Sequence, residues 1–489
     1  MPLPDLIEIV PLDRAVNSEI TVPGSKSITN RALILAALAD GEVALTGALW
    51  SEDTQIMVEC LRELGFEIRV EKDPEEFCNR SIAVMGRGGN VPNGGTAEKP
   101  LELFVGNAGT VARFLSAFVC LGDGVFRLSG VSRMHERPQA ALFGALRQLG
   151  CRVETENGNE KLPARIFGGG RRKPAPNEKN RRSLLARSPA TVNVSIEESS
   201  QFASALLLCA KPGGWEIEVV GENAEESPYV AMTSKLIEMF PQKSGTFRIE
   251  PDASSGSYFL AAEQLLPHSP EHMEYAESWR MEVPTVRFSN VKVAHWPNSG
   301  WQMDESFIDY IYFEEHTRVM RELKKGKRMA PGAIKDIFAN PSDWIISRKT
   351  DLGDSIMTSV AVAPLHEKAS RYTDLGRLRL QECDRVSALK TELTKCGARV
   401  IEEGDTLTVY PSQLHGAEIE TYNDHRMAMC FAVLGLKVPG IKIRNPACVK
   451  KTFPNFFQKL AAPPPQGLGA TILDAKTGKK LEHDELFAD

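Results

Sequence analysis

The chain has 489 residues, of which 42 % are hydrophobic and 25 % charged, as is typical of a globular protein with a sizeable core. Its formal net charge of −6 excludes a chain-wide electrostatic affinity for nucleic acid or for an anionic membrane surface. No apolar run reaches the ~18–20 residues of a membrane span, and the N-terminal MPLPDLIEIV lacks the basic segment of a signal peptide. The nine cysteines form no CxxC pair, so neither a disulfide framework nor a zinc site is indicated. We therefore expect a cytoplasmic, monomeric protein with no metal and with no nucleic-acid or membrane partner.

One order of parts recurs six times along the chain: a polar cluster, an apolar helix rich in small residues, a strand and an amphipathic helix. The first helix of each copy is apolar nearly all round, which indicates a buried helix, whereas the second carries an apolar stripe typical of a helix packed on a sheet. The sequence therefore predicts an α/β fold of six related units, split into two lobes of three. The copies begin at residues 25, 106, 199, 252, 353 and 423.

Three stretches depart from this order. Residues 168–183 are rich in Gly, Pro and basic residues, which predicts an exposed loop. Residues 312–347 contain the charged, helix-prone EEHTRVMRELKKGKRM and are predicted to be an insertion into the fourth unit. The C-terminal residues 462–489 are first Pro-rich and then acidic, and we expect a tail with little packed core.

Four of the apolar helices begin with residues that suit an anion, because a helix N-terminus presents free N–H groups and a partial positive charge. A single Ser or Thr at such a position more often caps the helix than binds a ligand. Four such starts, with added Lys, Arg or His, favour a substrate with several negative charges. The residues are Ser25, Lys26, Ser27, Thr29, Asn30 and Arg31, then Gly106, Asn107, Gly109, Thr110 and Arg113, then Ser199, Ser200 and Gln201, and finally Asn423, Asp424, His425 and Arg426.

Acidic residues accompany the other helix starts. Asp252 and Asp354 precede the fourth and fifth helices, while Glu382 and Asp384 lie beside Arg385. A carboxylate near several cations is suited to proton transfer, with a pKa set by burial and neighbouring charge. Ordinary salt bridging would explain any one of these acids alone. As a group, they indicate proton chemistry on the anionic substrate.

Seven segments resemble the 5-enolpyruvylshikimate-3-phosphate synthase family and stand in that family's order between about residues 8 and 460. They are PGSKSITNRALILAAL (23–38), LFVGNAGTVARFL (103–115), SRMHERP (132–138), SSQFASALL (199–207), PDASSGSYFLAA (251–262), YNDHRMAMCF (422–431) and KTFPNFF (451–457). The resemblance implies a two-lobed α/β fold, enolpyruvyl transferase-like, in which each lobe holds three βαββαβ-type repeats around buried helices. Lobe 1 would comprise 1–22 and 251–461, lobe 2 would comprise 23–250, and 462–489 would be the tail.

The resemblance also implies a reaction. Members of that family transfer the enolpyruvyl group of phosphoenolpyruvate to the 5-hydroxyl of shikimate 3-phosphate and release phosphate. The transfer passes through a tetrahedral intermediate and uses no metal or organic cofactor. This step of the shikimate pathway leads to chorismate and the aromatic amino acids, and glyphosate competes at the phosphoenolpyruvate site. The implied partners are two small anionic substrates.

The family's functional residues map onto matching positions of this sequence. The implied catalytic residues are Lys26, Asp354, Glu382 and His425. The implied shikimate 3-phosphate ligands are Lys26, Ser27, Arg31, Ser199, Ser200, Gln201, Ser227, Tyr229, Asp354, Arg377 and Gln381. The implied phosphoenolpyruvate ligands are Lys26, Asn107, Gly109, Thr110, Arg133, Gln201, Arg385, Arg426 and Lys451.

Several positions depart from the family pattern. Gln381 stands where the family usually has a Lys, and Arg377, where an Asn is common, is expected to restore the missing charge. Glu226 stands where the family typically has a Ser, so either Ser227 substitutes for that Ser or the loop turns Glu226 away from the phosphate. Phe114 stands where many family members have a Pro, so the sequence leaves the degree of inhibition by glyphosate open. These changes predict activity with weakened substrate affinity.

Two other functions compete with this interpretation. The sister enolpyruvyl transferase that acts on UDP-N-acetylglucosamine shares the fold but relies on a reactive Cys in a mobile loop, and the corresponding SRMHERP has none. A non-catalytic descendant is supported only by Gln381 and Glu226.

Overall fold

The computed structural model describes residues 3–169, 190–197, 199–221, 227–267, 291–311 and 344–488. The chain folds as two compact units: unit 1 comprises Met1–Pro23 with Pro251–Asp489, and unit 2 comprises Gly24–Glu250. Both units mix helices with strands, which confirms the predicted α/β class. None of the described helices is both long enough and apolar enough to cross a membrane.

The described helices and strands alternate along the chain. The helices are α1 (Lys26–Leu38), α2 (Glu52–Glu63), α3 (Gly109–Phe118), α4 (Ser132–Glu136), α5 (Ala140–Gln148), α6 (Ser200–Gly213), α7 (Pro228–Met239), α8 (Ala253–Leu265), α9 (Phe307–Ile311), α10 (Ile356–Val362), α11 (Arg385–Lys395), α12 (His425–Gly435) and α13 (Phe456–Ala461). The strands are β1 (Leu6–Ile9), β2 (Ser18–Ile20), β3 (Asp40–Leu49), β4 (Ile68–Lys72), β5 (Asn79–Arg87), β6 (Leu101–Phe104), β7 (Val125–Ser129), β8 (Arg152–Thr155), β9 (Ala164–Phe167), β10 (Ala190–Ser195), β11 (Trp215–Val220), β12 (Lys243–Arg248), β13 (Val291–Val293), β14 (Trp344–Ser347), β15 (Ser370–Thr373), β16 (Arg399–Glu403), β17 (Thr406–Tyr410), β18 (Glu418–Ile419), β19 (Ile441–Arg444) and β20 (Ile472–Asp474).

The four-stranded sheets of both units share one pattern of pairing, in which a parallel pair is followed by two antiparallel pairings. The strand orders are β12–β3–β5–β4 and β6–β7–β9–β8 in unit 2. They are β18–β19–β1–β20 and β14–β15–β17–β16 in unit 1. The pairs β10–β11 and β13–β2 are parallel, like the first pair of each larger sheet. The recurring order supports the predicted repeat of related units.

Each unit is built around buried helices. Helices α1, α3 and α6 pack on one another in unit 2, as α8, α10 and α12 do in unit 1. Most residues of these helices are buried, from nine of the fourteen in α6 to all seven in α10, and in α12 each one is buried except Arg426. A helix enclosed on all sides has to be apolar all round, because each polar group on it needs a partner. The prediction of buried helices in the six copies is therefore confirmed.

The expectation that residues 462–489 form a tail with little core is wrong. Strand β20 pairs antiparallel with β1, so the segment supplies the edge strand of a unit 1 sheet. Leu468, Ile472, Leu481 and Leu486 are at most 4 % exposed and join the core of unit 1. The composition of the segment misled the prediction, since its few apolar residues are spaced among Pro and charged residues and still reach the core.

The predicted insertion at 312–347 is wrong at its C-terminal end. Residues Trp344–Ser347 form β14, which pairs in parallel with β15 and so belongs to the sheet itself. Four residues are too few to show a strand period, which is why the pattern did not reveal them. Residues 312–343 lie outside the described ranges, as do 170–183 of the predicted basic loop and Glu226.

Candidate active site

The starts of three helices lie together in unit 2. Arg31, in the second turn of α1, donates to the hydroxyl of Ser204 in the second turn of α6 at 3.0 Å. The same guanidinium lies over the ring of Phe114 in the second turn of α3, 5.2 Å from its centroid. Gln201 at the start of α6 donates to Thr110 at the start of α3 at 3.2 Å. The N-termini of the three helices therefore face the same way and combine their partial positive charges.

Two guanidinium groups lie against the start of α3. A methyl group at Gly109 would come within 2.4 Å of Arg113 Nη1 and 2.5 Å of Arg137 Nη2. Arg113 donates to the carbonyl of Pro138 at 3.0 Å, and Arg137 donates to the carbonyl of Asn107 at 3.1 Å. The sequence assignment missed Arg137, although the matched segment SRMHERP contains it. The Asn107–Thr110 turn is therefore surrounded by positive charge.

Lys26 and Arg133 are more accessible than the buried Arg31 and Arg113 of the same unit. Lys26 begins α1 and its Nζ lies 3.3 Å from Oδ2 of the buried Asp53. Arg133 lies on the short helix α4 and pairs with the exposed Glu136 at 2.6 Å. Ser199 caps α6 by accepting the main-chain N–H of Gln201 at 3.2 Å. These contacts hold the side chains at helix starts without burying them.

Arg31 is occupied by protein partners. Its side chain is buried, with Nε donating to Thr233 Oγ1 at 2.7 Å and Nη1 donating to the carbonyl of Ser27 at 2.9 Å. Burial lowers the pKa of Arg31 to about 10, so the group is still charged at neutral pH. Thr233 in turn donates to the carbonyl of Tyr229, at the start of α7. Arg31 thus ties α1, α6 and α7 together, and its contact with substrate stays a prediction.

The starts of the three buried helices also meet in unit 1. The hydroxyls of Ser257 on α8 and Thr358 on α10 lie 2.9 Å apart, and Cys430 Sγ of α12 lies 3.9 Å from the same Thr358 hydroxyl. The N-cap of α12 is Asp424, whose carboxylate accepts the main-chain N–H of Arg426 at 2.9 Å. His425 is 1 % exposed, with Nδ1 3.9 Å from the Asp424 carboxylate.

Three arginine side chains among the described residues surround Asp354. Arg348 Nη2 lies 2.8 Å from Oδ1, whereas Arg426 Nη2 lies 3.2 Å and Arg385 Nη1 3.8 Å from Oδ2. Burial opposes ionisation of this carboxyl, but the charges of Arg426, Arg348 and Arg385 outweigh it and lower the pKa of Asp354 overall. The group is therefore an ionised, acceptor-only carboxylate at neutral pH.

A second carboxylate extends this ion network. Glu382 lies 2.8 Å from Arg385 and 3.0 Å from Lys451. Arg385 is 1 % exposed, binds Asp424 at 2.7 Å and donates to the side-chain oxygen of Gln381. Burial alone would lower the pKa of Arg385, but the surrounding carboxylates raise it overall. The unit 1 residues assigned to proton transfer and to phosphoenolpyruvate thus form one network.

Three residues without an assigned role contact Asp354 itself or the main chain beside Asp354 and Asp252. Arg348 follows β14, and Gln302 and Asp304 lie in or beside the 3-10 turn Met303–Ser306. Asp304 accepts the main-chain N–H of Gly353 at 2.7 Å, while Gln302 accepts the N–H of Ala253 at 3.0 Å. None of the three lies in a matched motif, so only the tertiary contacts reveal them. In the described part of the chain, no group of three or more His, Cys, Asp or Glu side chains is arranged to hold a metal ion.

A family model described as EPSP synthase (3-phosphoshikimate 1-carboxyvinyltransferase) matches residues 12–269 and 314–460. The chain belongs to the EPSP synthase family. The family model leaves 270–313 unmatched and resumes at 314, so the unmatched stretch precedes most of the predicted insertion. Gln302 and Asp304 lie within that stretch.

Individual relatives agree with this membership of the EPSP synthase family. The chain is 36 % identical to a 3-phosphoshikimate 1-carboxyvinyltransferase of Opitutus terrae, over 94 % of this chain and 98 % of the relative. It is 33 % identical to the protein of that name from Trichormus variabilis, over 93 % and 98 % of the two chains. A solved EPSP synthase from Acinetobacter baumannii superposes with a TM-score of 0.59 at 19 % identity, over 96 % of this chain and 99 % of the other, which shows a shared fold.

Proposed function

We propose that this protein transfers the enolpyruvyl group of phosphoenolpyruvate to the 5-hydroxyl of shikimate 3-phosphate and releases phosphate. The observation that carries the proposal is its membership of the EPSP synthase family over most of its length. Further support comes from the two clusters of cations at helix starts, since both substrates are anions.

The proposed ligands divide by substrate. For phosphoenolpyruvate, the turn before α3 offers main-chain N–H groups, and Gln201 and Thr110 offer polar side chains. The positive charges come from Lys26, Arg133, Arg385, Arg426 and Lys451. For shikimate 3-phosphate, we assign Lys26, Ser27, Arg31, Ser199, Ser200, Gln201, Ser227, Tyr229, Asp354, Arg377 and Gln381. Asn107 and Gly109 complete the phosphoenolpyruvate side.

The reaction needs three proton transfers, two in the addition step and one in the elimination step. In the addition step the 5-hydroxyl loses its proton, its oxygen bonds to C2 of phosphoenolpyruvate, and C3 gains a proton. In the elimination step the bond from C2 to the phosphate oxygen breaks and C3 returns a proton. We assign these proton transfers to the carboxylates of Asp354 and Glu382. In the same proposal Lys26 lies beside the reacting oxygen, and His425 supports Glu382 and the leaving phosphate.

The ion pairs of the unliganded protein also favour this reaction. Arg385, Arg426 and Lys451 are already held by Asp354, Glu382 and Asp424, so their charges need little rearrangement when an anionic substrate arrives. Charges fixed in advance stabilise a developing negative charge better than mobile ones. Such preorganised groups also hold the two substrates in a reactive orientation.

The compartment and the oligomeric state are further parts of the proposal. All nine cysteines are free and eight of them are buried, which suits a reducing cytoplasm. We expect a monomer, and size-exclusion chromatography with light scattering measures this directly. A mass of twice 53.9 kDa would contradict the monomer.

The deciding assay measures phosphate release from phosphoenolpyruvate in parallel reactions with shikimate 3-phosphate, with UDP-N-acetylglucosamine and with no acceptor. We expect release only with shikimate 3-phosphate, and formation of an enolpyruvyl ether product by mass spectrometry. Release only with the nucleotide sugar would replace the proposed function by the sister activity. No release from a folded protein with any acceptor would indicate a non-catalytic descendant. Glu382→Gln serves as the matched inactive control.

A further inference from the structure

Arg348 is a buried cation that neither substrate assignment uses. It directly follows β14, and its main-chain N–H donates to the carbonyl of Thr373 at the end of β15 at 3.0 Å. Its side chain is 8 % exposed, and Nη2 donates to Asp354 Oδ1 at 2.8 Å. The sheet therefore fixes the main chain of Arg348, and the carboxylate fixes its guanidinium.

The other two cations at Asp354 meet its opposite oxygen. Arg426 lies 3.2 Å and Arg385 3.8 Å from Oδ2, and both belong to the proposed phosphoenolpyruvate ligands. When they also bind the substrate, each shares its charge between Oδ2 and the substrate. Arg348 has no such second role in the proposed site, so its hold on Oδ1 is the one that persists.

We propose that Arg348 is a positioning residue, which holds Oδ1 of Asp354 so that Oδ2 receives the proton of the 5-hydroxyl. The inference rests on the function proposed above. In the step concerned, the O–H bond of the 5-hydroxyl breaks, the proton bonds to Oδ2, and the oxygen's electron pair forms the bond to C2 of phosphoenolpyruvate. The π bond between C2 and C3 breaks at the same time, and its electron pair binds the proton that C3 gains. A guanidinium suits this task because it stays charged and accepts no proton itself.

The charge of Arg348 also bears on the titration of Asp354. The described charged groups around this carboxylate come from different elements: Arg348 after β14, Arg385 on α11 and Arg426 on α12, with Glu382 and Asp424 bound to Arg385. Loss of one cation raises the pKa of the carboxyl, because the ionised form loses a favourable neighbour. Because the remaining cations still hold this pKa well below its usual range, Asp354 stays ionised at the pH of the assay, and loss of Arg348 should show in kcat rather than in the pH profile.

The test compares wild type with Arg348→Met, Arg348→Gln and Arg348→Lys. We expect Arg348→Met to lower kcat about 100-fold, as loss of acid–base catalysis commonly does, with KM for phosphoenolpyruvate within about threefold of wild type. Arg348→Gln should lose as much kcat as Arg348→Met, whereas Arg348→Lys, which keeps the charge, should recover about tenfold of that loss. Arg371→Met, on the exposed position of neighbouring β15, is the matched control and should leave kcat and both KM values unchanged.

Each outcome decides the proposal. A kcat within about threefold of wild type in Arg348→Met, or in Arg348→Gln if the Met variant does not fold, would overturn it, as would an Arg348→Lys variant no more active than Arg348→Gln. A raised KM with unchanged kcat would also overturn it, because Arg348 would then bind substrate. The carboxyl carbon of Asp354, assigned at neutral pH by its loss in Asp354→Asn, should change its NMR chemical shift in Arg348→Gln and keep it in Arg371→Met, because only the first variant removes the guanidinium at Oδ1. That measurement needs no turnover, so it separates failure of this inference from failure of the proposed reaction.

Discussion

Asp304 and Ser355 are joined by two hydrogen bonds, because one carboxylate oxygen accepts both the main-chain N–H of Ser355 at 3.2 Å and its hydroxyl at 2.5 Å. The same oxygen accepts the N–H of Gly353 at 2.7 Å, and the second oxygen accepts the hydroxyl of Ser254. Asp354 lies between the two residues whose main chain is held. Asp304 therefore fixes the backbone on both sides of the proposed proton acceptor.

Replacing Asp304 by Asn should weaken both the fold and the chemistry. Asn keeps one acceptor but turns the other into a donor and removes the charge, so the free energy of unfolding should fall by about 2 kcal/mol. A displaced Asp354 should lower kcat on the order of 100-fold. Denaturant unfolding and steady-state kinetics measure the two effects. Asp405→Asn, at an exposed carboxylate of the same unit, is the control, and equal effects of the two substitutions would contradict the assigned role.

The sequence predicted those parts of the fold in which the hydrophobic pattern extends over many residues. Each buried helix spans two turns or more of apolar residues, so its period and its burial were evident, as in Lys26–Leu38. The strands Trp344–Ser347 and Ile472–Asp474 were not predicted, because three or four residues show no clear hydrophobic period. They become strands only because a neighbouring strand offers its hydrogen bonds, which is a tertiary property.

The candidate site was predictable only where its residues share a motif. Lys26 and Arg426 lie at helix starts inside matched segments, so local sequence pointed to them. Arg348 and Asp304 contact Asp354 or the main chain beside it in unit 1, and both lie outside every motif. A single Arg after a strand has no distinguishing pattern, and only the distance to Asp354 gives it a role.

The C-terminal segment should contribute measurable stability to unit 1. Ile472 is 1 % exposed on β20, and its replacement by Ala should lower the free energy of unfolding by about 2–4 kcal/mol through lost burial and a new cavity. Lys480→Ala, at an exposed position of the same segment, should change it by no more than about 0.5 kcal/mol. Chemical denaturation of both variants checks this. Similar stability of the two variants would mean that the segment does not pack as described.

Gly109→Ala should disturb the phosphoenolpyruvate side of the site selectively. The new methyl group would lie 2.4 Å from one guanidinium nitrogen of Arg113 and 2.5 Å from one of Arg137, so both groups have to shift. We expect KM for phosphoenolpyruvate to rise about tenfold, a loss of about 1.4 kcal/mol, with KM for shikimate 3-phosphate within about twofold. The inhibition constant of glyphosate should rise as well, since we expect it to compete at this place.

The matched control for this substitution is Gly144→Ala. Gly144 lies within α5, and a methyl group there meets no atom within 4 Å. It should leave both KM values unchanged and raise the free energy of unfolding by about 0.4–1 kcal/mol. An unchanged KM for phosphoenolpyruvate in Gly109→Ala would show that the two arginines do not serve that substrate.

Arg31→Met should act mainly on stability. Its guanidinium holds hydroxyls and carbonyls on α1, α6 and α7, and removing it leaves those buried groups without their donor. We expect the free energy of unfolding to fall by about 2–4 kcal/mol, against about 0.5 kcal/mol or less for Arg62→Met, whose ion pair with Glu59 is exposed. Thermal and denaturant unfolding measure the difference. A stable variant with a greatly raised KM for shikimate 3-phosphate would instead make Arg31 chiefly a substrate ligand.

Arg377 should carry the charge that Gln381 lacks. Gln381 accepts a hydrogen bond from Arg385 with its side-chain oxygen, so that amide oxygen serves an ion network rather than a substrate carboxylate. Arg377 lies in the 3-10 turn Gly376–Leu380 that leads to it. We expect Arg377→Ala to raise KM for shikimate 3-phosphate about tenfold, because a charged hydrogen bond is worth about 1.5 kcal/mol or more, and to leave KM for phosphoenolpyruvate within about twofold.

Arg379→Ala is the matched control for that substitution, since its guanidinium is held by Glu402 at 2.7 Å and by Asp384 at 3.1 Å. It should leave KM for shikimate 3-phosphate unchanged. Adding Gln381→Lys to Arg377→Ala should recover much of the lost affinity, because the new ammonium stands where the family usually has one. An unchanged KM for shikimate 3-phosphate in Arg377→Ala would show that Arg377 does not compensate for Gln381. The weakened substrate affinity predicted for Gln381 would then remain uncompensated.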